Sequence, residues 1–384
     1  MDKKNKNPNV PNLRFSFEED WCTSTIGENF RLSSGLTPST KEKAYFNNGI
    51  IPWINSGELK NKYISFTENK LTLDAVKKHN LTIYPMDTMV IAIYGLEAAG
   101  VRGKASITKM DSTISQSCMA FNSLGNVLTQ FMYYVYKKEA QILGTRYAQG
   151  TKQQNLSSDL LSSYKLLYPS KEEQLKIVNF LSLIDEKIET QSKIIDTLSS
   201  QKKQIRNLIF KDIHKNVNCC IQDYVVYEQP QKYIVHSTDY LSYGKDYIPV
   251  LTANQSFILG YTLEKDGIYE KGDCIIFDDF TNENKYVDFP FKVKSSALKI
   301  LQTKEGLMLK FFYEYLQFLK FESTDHKRHY LSEVAVTDIN VPNLKEQTFV
   351  CKVFNSFDSK LKNEEALLEK YRLQKQFLLN NLFI

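Results

Sequence analysis

The chain has 384 residues, of which 42% are hydrophobic and 24% charged, and its formal net charge is +5. These proportions are ordinary for a globular protein and exclude a disordered, collagen-like or fibrous chain, and the length suits two or three domains. No apolar run is long enough to span a bilayer, and no apolar segment follows the basic start as it does in a secretory signal. We therefore expect a cytoplasmic protein whose mild positive charge permits binding to nucleic acid.

Motifs of catalysis and cofactor binding are missing from the sequence. The run Gly95-Leu-Glu-Ala-Ala-Gly100 lacks the Lys-Ser/Thr that completes a phosphate-binding loop. No Asn/Asp-Pro-Pro-aromatic run is present to hold a flipped adenine, so the chain is not expected to methylate bases itself. His326 and His329 lack a third metal ligand, and the six cysteines are scattered without a Cys-x-x-Cys pair. The sequence thus predicts no catalytic residue, no metal and no cofactor on this chain.

Two regions of the chain each combine short strands with one helix. We expect a strand at 88–93 and a helix at 126–140 in the first region, and a strand at 274–277 and a helix at 306–321 in the second. Blocks of the two regions match weakly, at offsets that fall from 197 to 186 and 179 residues, so the first region carries net insertions. Because insertions concentrate in loops, we interpret the regions as one scaffold with two sets of divergent loops, which favours recognition.

A stretch that follows the first region returns at the end of the chain without insertion or deletion. Residues 169–210 match residues 342–383 at an offset of 173, so that Asp185 is equivalent to Asp358. Each copy begins with a proline and a capping side chain three residues before a glutamate, which marks a helix start. Apolar residues then recur at alternating steps of four and three, which is typical of a coiled-coil seam. The sequence predicts two long, equivalent helices.

Matching seams suggest that the two helices pack on one another, although a single helix of this kind more often packs on its own domain. The seam is interrupted by polar residues at the same two places in both copies. The predicted helix-helix interface comprises Ile184, Ile188, Gln191, Ile195, Leu198, Lys202 and Ile205 of the first helix and Phe357, Leu361, Glu364, Leu368, Tyr371, Lys375 and Leu378 of the second.

Pairing of the polar interruptions suggests a register for this interface. An antiparallel pairing shifted by two seam positions places Lys202 opposite Glu364 and Gln191 opposite Lys375, so each polar residue finds a partner. The fully aligned antiparallel pairing leaves each interruption facing an apolar residue, and a parallel one stacks Lys202 on Lys375. We therefore predict the shifted antiparallel register.

Basic and amide-rich loops recur at corresponding points of the two regions. Lysine and arginine suit phosphate contacts, and asparagine and glutamine amides can bind base edges bidentately. Any one such cluster is more often a solvated loop, but recurrence on a duplicated scaffold favours DNA binding. The candidate DNA-binding residues are Thr37, Lys41, Asn55, Ser56, Arg102, Lys104, Lys152, Gln153, Gln154 and Asn155 in the first region and Asn254, Gln255, Asn282, Lys285, Tyr286, Lys327, Arg328 and His329 in the second.

Several short segments of the chain carry a resemblance to known proteins. They are Pro11-Asn-Leu-Arg-Phe15 with Trp21, Gly35-Leu-Thr-Pro38, Trp53-Ile-Asn-Ser-Gly57 and 169–174, and in the second half Ile248-Pro-Val-Leu251 and Phe291-Lys-Val-Lys-Ser-Ser296. These segments resemble a known family, the specificity subunits of type I restriction-modification enzymes. The resemblance covers nearly the whole chain, with its most specific part in the helix blocks. The second region lacks the Gly-Thr-x-Gln-x-Asn-Leu pattern of the first, which leaves the DNA-facing residues of its loop open.

The resemblance implies an α+β fold in which two α/β target recognition domains are each followed by a long helix. The two helices would form an antiparallel coiled coil with pseudo-two-fold symmetry. The implied domains are a first target recognition domain at 1–168, a central helix at 169–215, a second target recognition domain at 216–341 and a C-terminal helix at 342–384.

The resemblance also implies a noncatalytic, sequence-specific DNA-binding subunit that takes part in defence against foreign DNA. Each recognition domain would read one half of a bipartite, asymmetric site on double-stranded DNA. Two modification subunits would bind S-adenosylmethionine and methylate adenine, and restriction subunits would hydrolyse ATP with Mg²⁺. A helix overlap over 184–209 spans roughly 40 Å at 1.5 Å per residue, close to the separation of half-sites one DNA turn apart, so we expect an unspecified spacer between the half-sites.

Two other function classes compete with this one. A repeat-built protein-interaction scaffold would use the same helices to dock partners, and its loops would never touch nucleic acid. A free-standing endonuclease would need an acidic metal site, which the sequence does not assemble. The sequence leaves open the DNA target, the spacer length and the presence of an accompanying restriction subunit.

Overall fold

The computed structural model describes residues 9–98, 100–148, 154–244, 246–253, 256–321 and 328–384. By internal contacts the chain divides into two compact units, the first formed by Met1–Gln191 with Leu367–Ile384 and the second by Ser192–Ala366. Each unit therefore contains one strand-rich region and a part of both long helices. Among the described residues, no helix is both long and apolar enough to cross a membrane.

Among its described residues the first unit has ten strands, and a fourteen-residue helix packs against its main sheet. The strands are β1 (Cys22–Thr25), β2 (Phe30–Ser34), β3 (Ile51–Ile54), β4 (Tyr63–Ile64), β5 (Lys70–Leu71), β6 (Met89–Ala92), β7 (Ala105–Thr108), β8 (Thr113–Ile114), β9 (Cys118–Ser123) and β10 (Lys165–Tyr168). The helices are α1 (Ile26–Asn29), α2 (Leu73–Lys78), α3 (Thr129–Ile142), α4 (Ser158–Ser162) and the start of α5 (Lys171–Ile213).

The described part of the second unit has nine strands, and a helix also packs against its main sheet. The strands are β11 (Cys219–Cys220), β12 (Val225–Glu228), β13 (Ile248–Leu251), β14 (Ile258–Thr262), β15 (Cys274–Asp278), β16 (Asn284–Val287), β17 (Lys292–Val293), β18 (Leu298–Thr303) and β19 (Asp338–Ile339). The helices are α6 (Ile221–Tyr224), α7 (Leu309–Leu319) and α8 (Leu344–Leu382), whose last turns belong to the first unit.

The two units repeat the same sheet topology. The main sheet has the order β2-β9-β6-β7-β4 in the first unit and β12-β18-β15-β16 in the second, so that, of the strands in the described ranges, β4 alone has no counterpart in this sheet. A three-stranded sheet follows in each, β5-β3-β8 and β14-β13-β17, with one antiparallel and one parallel pair. A two-stranded sheet, β1-β10 or β11-β19, precedes the long helix. The duplicated scaffold predicted from weak sequence matches is therefore present.

The predicted elements lie where the apolar patterns place them, with shifted ends. The strands predicted at 88–93 and 274–277 are β6 and β15, and the helices predicted at 126–140 and 306–321 are α3 and α7. All four residues of β6 and all five of β15 are buried, as is usual for central strands of a sheet. The mixed α and β fold class with two long helices is confirmed.

Equivalent aromatic clusters join the short helix of each unit to the end of a long helix. In the first unit the Phe131 ring of α3 lies 5.2 Å from Phe383, next to Trp21. In the second unit the Phe311 ring of α7 lies 5.2 Å from Phe210. Phe383 and Phe210 are equivalent at the offset of 173, and both are almost fully buried. Each long helix therefore ends in a hydrophobic core.

A buried glutamine at the start of each long helix positions the short helix. Gln174 accepts a hydrogen bond from the Leu128 backbone N–H (2.8 Å) and donates to the Pro169 carbonyl (2.9 Å). Gln347 accepts one from the Met308 backbone N–H (2.8 Å) and donates to the Pro342 carbonyl (2.8 Å). Leu128 and Met308 precede the first residues of α3 and α7, so each amide satisfies one donor that a helix start leaves unpaired.

Candidate nucleic-acid interface and helix seam

The predicted seam residues lie on the covered faces of the two long helices. All fourteen are buried or half-buried, whereas most other positions of α5 and α8 are exposed. The most covered of them include Gln191 and Ile184, each 5% exposed. The heptad spacing thus identifies the covered stripe, polar interruptions included.

In the first unit the two long helices are joined by an ion pair that also contacts α3. Lys375 Nζ of α8 lies 2.5 Å from Asp185 Oδ1 of α5. The other carboxylate oxygen of Asp185 accepts a hydrogen bond from the Tyr134 hydroxyl (2.6 Å), which in turn accepts one from Lys62 Nζ (2.7 Å). Burial and the Asp185 carboxylate raise the pKa of Tyr134, so its hydroxyl remains a donor. One short network therefore ties α3, α5 and α8 together.

The second unit has a more highly charged network at the equivalent place. Lys202 Nζ of α5 and Lys310 Nζ of α7 each lie 2.5 Å from a carboxylate oxygen of Asp358 on α8. Glu314 of α7, whose side chain is completely buried, lies 3.2 Å from Lys202, 2.9 Å from Lys310 and 2.7 Å from Arg206. Three cations therefore share two carboxylates in this cluster.

These ion pairs show that the predicted register is wrong. Lys202 pairs with Asp358 and not with Glu364, and Lys375 pairs with Asp185 and not with Gln191. Asp185 and Asp358 are equivalent at the offset of 173, as are Lys202 and Lys375, so both units show the fully aligned antiparallel register. The aligned register leaves neither lysine without a partner, because the partners lie outside the seam. Asp185 and Asp358 directly follow the seam residues Ile184 and Phe357, and Glu314 comes from α7. The predicted register paired seam residues only with one another.

The aligned register predicts which engineered cysteines will cross-link. A variant with cysteines at Ile188 and Tyr371 should form a disulfide on mild oxidation, because Tyr371 already contacts Lys187 (5.7 Å from Nζ to the ring centre). A variant with cysteines at Ile188 and Leu378 should not, because Leu378 lies about two helical turns further along α8. Mass spectrometry of proteolytic fragments identifies the bridge, and preferential bridging of the second pair would restore the shifted register.

The first unit brings together two of the candidate DNA-binding segments. Arg102 donates hydrogen bonds from Nε to the Leu96 carbonyl (2.7 Å) and from Nη2 to the Glu97 carbonyl (3.2 Å). Glu97 accepts a hydrogen bond from the Gln154 backbone N–H (2.9 Å), which lowers the pKa of its carboxyl. Arg102 therefore stabilises the turn beneath Gln154.

Side-chain amides beside this turn have unused hydrogen-bonding capacity. Oε1 of Gln154 and Oδ1 of Asn155 are covered and accept no hydrogen bond within the described ranges. Lys152 and Gln153, which complete the candidate loop, lie outside the described residues. The turn at Arg102 thus holds a candidate reading segment whose leading residues are not described.

The other candidates of the first unit have different surroundings. Lys41 is exposed, and Ser56 and Lys104 are half-buried. The half-buried Thr37 hydroxyl accepts a hydrogen bond from the Gln116 backbone N–H (3.4 Å). Oδ1 of Asn55 accepts one from the Gly57 backbone N–H (2.8 Å), so this amide shapes its own turn. Of these five, Lys41 is the most available for a phosphate contact.

In the second unit, Asn282 and Lys285 line one surface groove of about 290 Å³ together with Gln317 and Lys320. Asn282 is only 5% exposed, and neither polar atom of its amide has a hydrogen-bond partner among the described residues. Its backbone has a positive φ of 58°, a conformation that asparagine adopts more readily than most residues. The groove therefore places two lysines and Glu283 beside one buried amide group that has no hydrogen-bond partner among the described residues.

The other described candidates of the second unit, Tyr286, Arg328 and His329, differ from one another in exposure and in contacts. Tyr286 donates a hydrogen bond from its hydroxyl to Asp273 (2.6 Å), so this hydroxyl links β16 to the residue that precedes β15. Arg328 is exposed, and its guanidinium lies 5.8 Å from the centre of the Phe280 ring. His329 is 2% exposed, and its Nδ1 lies 3.0 Å from Glu333 Oε1, which does not fit the expectation that its ring faces DNA. Asn254, Gln255 and Lys327 lie outside the described residues.

Sequence inspection missed one group of potential metal ligands. His236, Glu264 and Asp266 place one ligand atom each within 4.8 Å of one another. However, Lys292 Nζ lies 2.7 Å from Glu264 Oε2, so an ammonium group already neutralises that carboxylate. We assign no metal to this group.

Comparison with known proteins finds sequence similarity to specificity subunits of type I restriction enzymes. A family model described as the type I restriction modification DNA specificity domain matches residues 18–200, which include the first strand-rich region and most of α5. The specificity subunit of the type I restriction enzyme EcoR124I/EcoR124II of Escherichia coli is 48% identical over 122 residues, a match that spans 30% of this chain and 30% of that subunit. The MjaIX specificity subunit of Methanocaldococcus jannaschii is 27% identical over 347 residues, or 87% of this chain and 76% of that subunit.

Solved structures share the fold along nearly the full length. The crystal structure of the type I restriction-modification S subunit from M. genitalium has a TM-score of 0.61 and is 18% identical, with 98% of this chain and 99% of that chain covered. A chain from a structure of the type I R-M system has a TM-score of 0.55 and is 11% identical, with 96% and 99% covered. Residues 18–200 thus match the DNA specificity domain of type I restriction-modification enzymes, and the chain is similar to specificity subunits of these enzymes along most of its length.

Proposed function

We propose that this chain is a noncatalytic subunit that reads a bipartite, asymmetric site on double-stranded DNA, one half-site for each unit. The observation that carries the proposal is the duplication of one sheet topology bearing two different sets of loops. A symmetric reader would need equivalent loops, whereas divergent loops on equivalent scaffolds suit two different half-sites. The net positive charge favours a polyanionic ligand.

Side chains with the chemistry of DNA contacts are available in both units. In the first unit, Lys41 offers a cation for phosphate, and the candidates Gln154 and Asn155 are half-buried with their amide oxygens covered. In the second unit, Lys285 lines the groove beside Asn282, and Arg328 is exposed. These residues support separate reading surfaces.

Partner subunits would supply the chemistry that this chain lacks. Two modification subunits would bind S-adenosylmethionine and transfer the methyl group to adenine, and restriction subunits would use ATP and Mg²⁺. Specificity subunits of this family supply sequence choice to such complexes, so the chain itself would bind none of these cofactors.

Sequence-selective retention on duplex DNA tests the proposal against a protein-interaction scaffold. The chain is mixed with its modification subunit, and binding to the genomic target and to a scrambled duplex is measured between about 50 and 200 mM salt. Selective binding that weakens with salt is expected. Mapping of methylated adenines in cells with and without the chain should show loss of one bipartite motif. Equal binding to both duplexes, or an unchanged methylation map, would favour the scaffold.

Neutralising the candidate phosphate contacts should weaken DNA binding without changing the sequence that is read. For Lys285→Ala combined with Arg328→Ala, we expect the slope of log K against log salt to fall by about two, since each lost phosphate contact removes about one. Lys203→Ala, an exposed cation on α5, is the matched control and should leave the slope unchanged. An unaltered slope in the double variant would remove these residues from the interface.

A further inference from the structure

In the first unit, an irregular N-terminal segment, residues 9–21, covers the start of α5. Arg14 makes a two-pronged hydrogen bond to Glu173, with distances of 2.8 and 2.7 Å. Trp21 Nε1 lies 3.4 Å from the same carboxylate. Glu173 is consequently only 1% exposed. A charged residue of the long helix is thus covered by a cation and an aromatic ring that come from outside the helix.

The same segment also contacts apolar and backbone groups of both long helices. The Phe15 ring packs edge-on against Phe180, one helical turn beyond Lys176, whose ammonium lies 5.9 Å from the Phe15 ring centre. The Leu13 backbone N–H donates a hydrogen bond to the Asn381 carbonyl near the end of α8 (2.8 Å). The segment therefore lies across one face formed by residues 173, 176 and 180 of α5 and residue 381 of α8.

The repeat places an equivalent face on the second unit. At the offset of 173, the equivalents of Glu173, Lys176, Phe180 and Asn381 define what we call the Phe349 face, which consists of Glu346, Phe349, Val353 and Leu208. Its three α8 members are three and four residues apart, so they lie on one side of the helix. The aligned ion pairs of the two units place the α5 member in the equivalent position.

No described segment of the second unit covers the Phe349 face in the way that residues 9–21 cover its counterpart. Phe349 is 67% exposed and Leu208 is 71% exposed. Glu346 is exposed, and its carboxylate has no ion-pair partner among the described residues. Compared with its counterpart, the face has Phe349 in place of a lysine, Leu208 in place of an asparagine and Val353 in place of a phenylalanine, and it keeps the carboxylate. Two large exposed apolar side chains beside an unpaired carboxylate suit a ligand with an aromatic and a cationic group.

We propose that the Phe349 face docks an irregular segment of a modification subunit in which an arginine precedes an aromatic residue. The proposal rests on the proposed function, which supplies the partner. Arginine would pair with Glu346 as Arg14 pairs with Glu173, and the aromatic ring would pack on Phe349 and Val353. Because residues 9–21 already occupy the counterpart face, the two units differ towards their partners, and the subunit bound to the second unit gains this contact.

A synthetic peptide with the sequence of residues 9–21 tests the chemistry of the face in the full-length protein. We expect the labelled peptide to bind by fluorescence anisotropy, and Phe349→Ala to weaken binding at least fivefold. Glu346→Arg should weaken binding similarly, and a peptide carrying Arg14→Glu should recover it on that variant. Glu172→Arg, an exposed glutamate at the start of α5, is the control and should leave binding unchanged.

Three outcomes would overturn the proposal. The first is a peptide that does not bind, or that binds all variants equally. The second is concentration-dependent dimerisation of the chain that Arg14→Glu abolishes, because the occupant would then be a second copy. The third is undiminished binding of the second modification subunit to Phe349→Ala in a mass measurement of the complex. Selective DNA retention by these variants would leave the proposed function intact, so the two failures are distinguishable.

Discussion

Replacing Glu314 with alanine is expected to destabilise the second unit by about 3–5 kcal/mol, because it breaks a buried ion-pair network and leaves its cations without a partner. The Glu314 side chain is completely buried, and both of its carboxylate oxygens are within 3.2 Å of cations. After the substitution, Lys202, Arg206 and Lys310 would share only the Asp358 carboxylate. The net charge of the cluster would rise from +1 to +2, in a site with little access to water.

Local hydrogen exchange measures this loss better than a single melting curve, since a chain of two units need not unfold in one step. Exchange of α7 and of residues 200–212 should accelerate in Glu314→Ala, whereas β6 in the first unit should be unchanged. Tyr134→Phe is the matched variant, because Tyr134 holds Asp185 at the equivalent place of the first unit. It removes one hydrogen bond to a charged group and should cost about 1.5–3 kcal/mol. Unchanged exchange of α7 in Glu314→Ala would show that the network contributes little.

Acid should weaken the same network. Burial raises the pKa of Asp358, but hydrogen bonds from Lys202 and Lys310 outweigh burial and leave that pKa below its ordinary value. A carboxyl whose pKa is lower in the folded state contributes stability that is present above its unfolded pKa and is lost as the pH falls through the folded pKa. The exchange difference between the wild type and Asp358→Asn should therefore disappear towards acid pH.

The sequence sufficed for the long helices and the duplicated sheets because their signals are periodic and local. The heptad positions of α5 and α8 lie on covered faces, and the strand-forming runs at β6 and β15 are central strands. The register of the helices was beyond such reasoning, since it depends on Asp185 and Asp358 beside the seam and on Glu314 from another element. That Asp185 and Asp358 are equivalent in the repeat was a signal that could have corrected it.

The candidate loops were less predictable because residue type does not determine where a loop side chain lies. Arg102 and Asn55 have the chemistry of DNA contacts, yet both stabilise turns of their own backbone. The cover of Glu173 by Arg14 was equally hidden, because it joins positions 159 residues apart. Only side chains of the same chemistry at equivalent positions of both units could have distinguished residues that stabilise the loops from residues that contact DNA.

Removing one heptad from each long helix is expected to shorten the spacer of the DNA site without changing either half-site. Deletion of residues 190–196 from α5 and 364–370 from α8 removes segments that oppose each other in the aligned register and keeps the pairs Asp185–Lys375 and Lys202–Asp358. Seven residues at 1.5 Å each correspond to about 10 Å, which is about three base pairs by length. Three base pairs also rotate the DNA by about 100°, whereas removal of a heptad rotates a helix by only about 20°. Because the two rotations do not match, we expect the spacer to shorten by about one to three base pairs.

Methylation mapping in cells measures the spacer, and deletion from α5 alone is the control, because it breaks the register and should abolish methylation. A changed half-site sequence in the double deletion would contradict the role of the helices as the determinant of spacing.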